Sequence, residues 1–203
     1  SQTAVESMKS LEGDYVETAT DTINRRIIGK RLEALNFFLS DASLSQQEHA
    51  QIATGVLEEA MRERLSDASE IQQWRELRYM CTRVLMQVSY PAGTSPLIRH
   101  FNETFRTYSQ GYVAKTWVLE AIAALGNTGT QEAAERLTTF LDLLNTYTEN
   151  DRPYDTQIVL AVIRNLEALG NMVAYDALFY LTLLNYPYRV IDAARGAIDN
   201  ITR

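Results

Sequence analysis

One cysteine, two histidines and four prolines occur in 203 residues, and each scarcity excludes something. A lone Cys81 permits no intramolecular disulfide, and its place in the apolar run 79–86 reads as a small buried side chain. His49 and His100 stand far apart, and no HExxH, CxxC or EF-hand loop accompanies them, so no metal and no cofactor is expected. Neither a glycine-rich phosphate loop nor a nucleophile elbow is present, and no residue is assigned a catalytic role. No run approaches the roughly 18 apolar residues that a membrane-spanning helix needs. The expectation is a soluble chain, with cytoplasm and periplasm both open. Positive charge is also short: the formal net charge of −7 opposes the phosphate attraction that drives most nucleic-acid binding. The densest basic strip, Arg25, Arg26, Lys30 and Arg31, reads as the solvated side of a helix.

What remains is helical spacing. Trp117, Val118, Ala121, Ile122 and Leu125 fall on one helical face. Gly126 then reads as a left-handed stop, and Thr130 as the cap of a second helix that buries Ala133, Ala134, Leu137, Phe140, Leu141 and Leu144. A shift of 44 residues carries Val118, Ile122, Leu125, Gly126 and Asn127 onto Val162, Leu166, Leu169, Gly170 and Asn171. The same shift carries Ala133 and Leu137 onto Ala177 and Leu181. Cys81, Leu85 and Val88 precede this pattern, and Val190, Ala194, Ile198 and Ile201 follow it. The spacing predicts helices near 2–12, 14–40, 45–65, 70–89, 95–108, 111–126, 130–145, 155–169, 173–185 and 187–202. The connection TYTENDRPYD, 146–155, is the most loop-like segment, with Asp155 placed to cap the next helix.

Helix pairs of this period, with ALGN followed by T-x-x-A-x-x-x-L at 124–137, resemble HEAT repeats. The resemblance covers 70–202, and 14–66 by pattern alone. It implies an all-α fold, an α-solenoid of stacked antiparallel helix pairs, with residues 1–66 as an N-terminal helical cap region and 67–203 as the repeats. It also implies a scaffold that holds another macromolecule on the second-helix side, and it brings no catalytic residues. Some proteins of this architecture are enzymes. In the DNA glycosylases among them aromatics stack around an extruded base with a carboxylate nearby, roles to which Trp117 and Glu120 respectively would have to correspond. Trp117, however, lies on the apolar face, and the acidic charge opposes a DNA groove.

One segment breaks the pattern. In VAYDALFYLTLLN, 173–185, the expected core face is Ala177, Leu178, Leu181 and Leu184. Removing it leaves Phe179, Tyr180 and Leu183, where the preceding repeat has Glu135, Arg136 and Thr139. An apolar outward face asks for a cover, and tyrosine, enriched in interfaces, crowds the last third. The expected function is a non-enzymatic protein-interaction scaffold or adaptor. Phe179, Leu183, Tyr186 and Tyr175 would be its contacts, and Arg99, Arg106, Glu135 and Asp142 its polar surroundings. The alternative is a structural domain of a larger assembly or homo-oligomer.

Overall fold

A computed structural model describes residues 2–203, with side chains from residue 13 onward. It is 77% helical, and no strand occurs among the described residues. The helices are α1 (Gln2–Asn24), α2 (Ile28–Leu39), α3 (Gln46–Ala60), α4 (Ala68–Gln87) and α5 (Thr94–Ser109). They continue as α6 (Lys115–Gly126), α7 (Gln131–Glu149), α8 (Thr156–Leu169), α9 (Tyr175–Leu181) and α10 (Tyr188–Ile201). Single 3-10 turns, Pro91–Gly93 and Met172–Ala174, lead into α5 and α9.

The chain divides into two compact units, Ser1–Pro96 and Leu97–Arg203. Each shows the layering of a HEAT-like solenoid, in which alternate helices lie side by side. In the second unit α6 packs on α8 and α8 on α10, while α7 packs on α9. Phe101 and Phe105 of α5 meet Phe140 of α7 edge-on, at 5.0 and 4.7 Å between ring centroids. In the first unit α1 packs on α3, α2 on α4, and α3 against α4. The repeated apolar positions form the core: Val118, Ile122, Leu125, Val162, Leu166, Ala133, Leu137, Ala177 and Leu181 are all buried. Cys81 is fully buried on α4, and burial pushes its thiol well above the ordinary range.

Side-chain caps fix several helix starts. Thr130 Oγ1 accepts from the Ala133 N–H, and Asp155 Oδ1 accepts from Gln157 and Ile158, as the sequence anticipates. Ser45 and Glu48 form a reciprocal capping box at α3.

Several boundaries differ from the sequence expectation. There is no break near residue 13: α1 runs on to Asn24, and the chain turns at 25–27 instead. Arg31 holds that turn. Its Nε donates to the Arg26 carbonyl at 2.7 Å and its Nη1 to Glu63 Oε1 at 2.7 Å, so it is buried rather than solvated. Helix α7 extends through Glu149, shortening the loop to 150–155. The helix expected at 173–185 is a 3-10 turn, then seven residues of α9, then turns. Finally, Gly126 is a helical residue, and the left-handed conformation falls to Gly129 (φ 71°) and Gly170 (φ 62°).

Gly126 has a different task. A Cβ there would lie 1.9 Å from Asn165 Oδ1 and 2.6 Å from Asn165 Cβ, at the crossing of α6 and α8. The equivalent crossing of α1 and α3 places Gly55 against Thr20, whose Cγ2 would be 2.5 Å from an added Cβ. Gly29 faces only the tip of the flexible Gln73 side chain on α4 and is less constrained.

Two alanine substitutions therefore act with opposite sign. Gly126→Ala is expected to cost about 2–3 kcal/mol through overpacking, and Asn165→Ala does not rescue it because the clash reaches Cβ. Gly196→Ala, on α10 with no atom within 4 Å of the added Cβ, is expected to gain about 0.5–1 kcal/mol from helix propensity. Thermal unfolding of both variants beside the parent checks the pair; equal shifts would remove the role given to Gly126.

Candidate functional site

In the second unit α7 packs on α9, so their outward residues share a surface, and α5 meets α7 through Phe101 and Phe105 against Phe140. Helix α7 buries Ala133, Ala134, Leu137, Phe140, Leu141 and Leu144, which leaves Glu135, Thr139 and Asp142 outward. Helix α9 buries Ala177, Leu178 and Leu181, which leaves Phe179 and Tyr180 outward. Leu183 lies just past its end, in a turn closed by its own N–H to the Tyr180 carbonyl at 3.0 Å. Phe179 is 49% exposed and Leu183 67% exposed. They stand 44 residues after Glu135 and Thr139, both exposed polar residues. At the same register, one repeat offers water polar groups and the next offers apolar ones.

Neighbours partly fix this apolar ridge. The Tyr175 ring stacks on Phe179 at 6.2 Å with 3° between planes, and Tyr175 itself is half-buried. The Tyr180 hydroxyl donates to Glu149 Oε1 at 2.8 Å, tying the ridge to the end of α7. That carboxylate holds the Tyr180 phenol above its ordinary pKa. Met172 and Val173, in the turn before α9, add exposed apolar surface.

The expected polar surroundings take up separate positions. Arg106 on α5 is exposed, paired with both Glu103 oxygens at 2.7 and 3.0 Å and with Gln110 at 3.1 Å. The Glu103 carboxylate keeps its guanidinium charged. Arg99, one helical stretch earlier, is exposed on the same helix. On α7, Glu135 accepts from Gln131 Nε2 at 2.7 Å, and partial burial raises the Asp142 carboxyl. Both arginines lie on α5, not on the helices that carry the ridge and its flank. Arg136, expected in solvent, is half-buried instead: its Nε donates to Asn102 Oδ1 at 2.8 Å and its guanidinium sits 5.0 Å from the Phe101 ring centre.

Tyr186 does not join the ridge. It is 5% exposed, and its hydroxyl donates to Asn145 Oδ1 at 3.1 Å. Asn145, itself buried, donates from Nδ2 to the Ala177 carbonyl at 3.1 Å. The Tyr186 ring meets Tyr154 edge-on at 5.0 Å. One buried amide thus links α7, α9 and the segment before α10. Sequence spacing places Asn145 on the buried face of α7, beside Leu141 and Leu144, and a polar residue there is the signal of such a link. The tyrosine at 186 follows the end of α9, where no period indicates which way a ring turns.

Among the described residues no group of three or more His, Cys, Asp or Glu is placed to hold a metal ion, and no helix is long and apolar enough to cross a membrane. Residues 118–142, most of α6 and most of α7, match the family model described as PBS lyase HEAT-like repeat. No curated protein and no solved structure matches the chain. The matched segment contains ALGNTGT and is similar to a HEAT-like repeat, in keeping with the stacked-pair fold.

Burial pushes the Tyr186 phenol up to about 12 from its ordinary value of 10. A folded-state pKa above the unfolded one stabilises fully below pH 10 and is lost as pH rises towards 12. The parent is expected to lose about 2 kcal/mol more than Tyr186→Phe across that interval. At pH 7 Tyr186→Phe is the less stable of the two by about 1–2 kcal/mol, because Asn145 Oδ1 is left buried without its donor, and this gap narrows as pH rises. Denaturant unfolding of both proteins at pH 7 and pH 11 checks both signs.

Proposed function

We propose that the chain is a non-enzymatic protein-interaction module, with residues 1–66 as its N-terminal helical region and 67–203 as its repeats. The α9 ridge is its docking surface: Phe179 and Leu183 are the anchors, Tyr175 backs Phe179, and Glu135 and Asp142 of α7 form the polar flank. HEAT-like repeats commonly serve protein interactions, which supports the class of function. The exchange of Glu135 and Thr139 for Phe179 and Leu183 at one register carries the location. Packing within the unit does not require it, since α9 already buries Ala177, Leu178 and Leu181 on its other side. Covering each anchor is worth about 1–2 kcal/mol, enough for a pair of them to decide an affinity.

A photo-cross-linking residue at position 183, with a second at the exposed Arg195 of α10 as control, tests the location in extract of the source cells. The expected result is an adduct with another polypeptide from position 183 alone. After that polypeptide is purified, Phe179→Ser/Leu183→Ser should weaken its binding by roughly a hundredfold, the equivalent of about 3 kcal/mol, with the melting temperature unchanged. An adduct between two copies of the chain would assign the ridge to self-assembly. Equal yields at 183 and 195, or none, would overturn the docking surface.

A further inference from the structure

A second feature of the same unit is independent of the ridge. A cavity of about 360 Å³ opens where the ends of α5 and α7 meet the connection 150–155 and the start of α8. That volume lies within the range of small-ligand sites. Four aromatic rings wall it: Phe105 and Tyr108 from α5, Tyr147 from α7 and Tyr154 from the connection, with Leu144 and Ile158 completing the apolar lining. The walls are held from behind. Phe105 packs edge-on against Phe140 at 4.7 Å, and Tyr154 packs against Tyr186, which the buried Asn145 anchors. Asp151, in the left-handed conformation at φ 54°, and the Arg152 N–H bond to the Tyr147 carbonyl at 2.8 Å fold the connection back over α7. The hydroxyls of Tyr108, Tyr147 and Tyr154 make no hydrogen bond to the described residues, so they are available to a guest or to water.

The lining selects by charge. Its one ionised group is Asp155, whose Oδ1 already occupies the Gln157 and Ile158 N–H groups at the start of α8. The donors that could have bound an anion are spent, and an anion would face a carboxylate. Asp155 Oδ2 is paired with Lys115 Nζ at 3.0 Å, so this carboxylate is not waiting for a counter-ion either. A small hydrated cation would lose water and gain too few oxygen ligands. A cation with an apolar skin meets neither objection. It keeps little water, fills apolar space, and is attracted by the negative face of an aromatic ring. The chain already uses one of these rings in this way, since the Arg152 guanidinium lies 5.9 Å from the centre of Tyr147.

We propose that the cavity walled by Phe105, Tyr108, Tyr147 and Tyr154 binds an alkylated ammonium group. Two sources carry that chemistry: a free choline-like molecule, or a methylated lysine on another polypeptide. The test is titration of the intact chain, followed by the ring resonances of its tyrosines in NMR spectra. Three probes are used: choline, its neutral isostere 3,3-dimethylbutan-1-ol, and a short peptide bearing trimethyllysine. Choline or the peptide should bind at least about tenfold more tightly than the neutral isostere, and the tighter of the two identifies the source. Tyr147→Leu and Tyr154→Leu keep apolar bulk but remove the ring, and each should weaken ammonium binding about tenfold or more while the chain remains folded. Tyr108→Phe, which retains the ring, should keep it within a few-fold. The proposal is overturned if the isostere binds as tightly as the cations, if no cation binds at millimolar concentration, or if a folded leucine variant binds like the parent. Should one leucine variant fail to fold, the other and the isostere comparison decide.

Discussion

The closest constraint in the molecule is the distance between alternate helices. Where α1 crosses α3, and where α6 crosses α8, the backbone of one helix lies so near its neighbour that only hydrogen fits in place of a side chain, at Gly55 and Gly126. Ridges of side chains elsewhere on these helices can interlock only because the crossing point is that low. This ordering, first helix against first and second against second, is what makes each unit a stack of pairs. It also decides which residues meet water. A second helix pressed between neighbours shows a single narrow stripe, and on α7 and α9 those stripes occupy the same register.

Polar groups buried in such a stack have to be reconciled with one another, and two clusters show how. Arg31 closes the turn between α1 and α2 by holding the Arg26 carbonyl and Glu63 together. Asn145 does the same for the second unit, accepting from Tyr186 and donating to Ala177. Removing one partner from either cluster strands a buried group, whereas an apolar replacement of the whole would lose the link it makes. Through Tyr186 and Tyr154 the second cluster also reaches the wall of the aromatic cavity, so one amide supports both the seat of α9 and the shape of a neighbouring site.

The helices were legible in the sequence because burial repeats every 3.6 residues, and the pairs because the pattern returns after 44. Ends and breaks were less so. The turn after Asn24 contains neither proline nor glycine, and it is held by Arg31, five residues beyond the Arg26 carbonyl it binds. Two glycines in equivalent ALGN motifs behave differently. Gly170 takes the left-handed stop, whereas Gly126 stays helical and accommodates Asn165, a partner that lies 39 positions away and leaves no local trace. Of the ridge, Phe179 and Leu183 could be read by subtracting the core positions. Tyr186 could not, because outside a helix no period says which side of the chain a ring will take. The cavity was invisible for a related reason: its walls come from three helices and a loop, and only tertiary structure assembles them.

The burial of Cys81 has a practical side. It is the chain's one thiol, it sits on α4, and in the folded protein it is both covered and held protonated. A thiol reagent can reach it only when the packing around α4 opens, so the rate of modification at low denaturant reads the free energy of that opening directly. Trp74, on the same helix, has its indole N–H bonded to the Ala60 carbonyl and its ring under the Arg78 guanidinium. Its emission should change with the same event. The unaltered chain thus carries two native reporters on one helix, and the hierarchy of its partial unfolding can be measured without introducing a label.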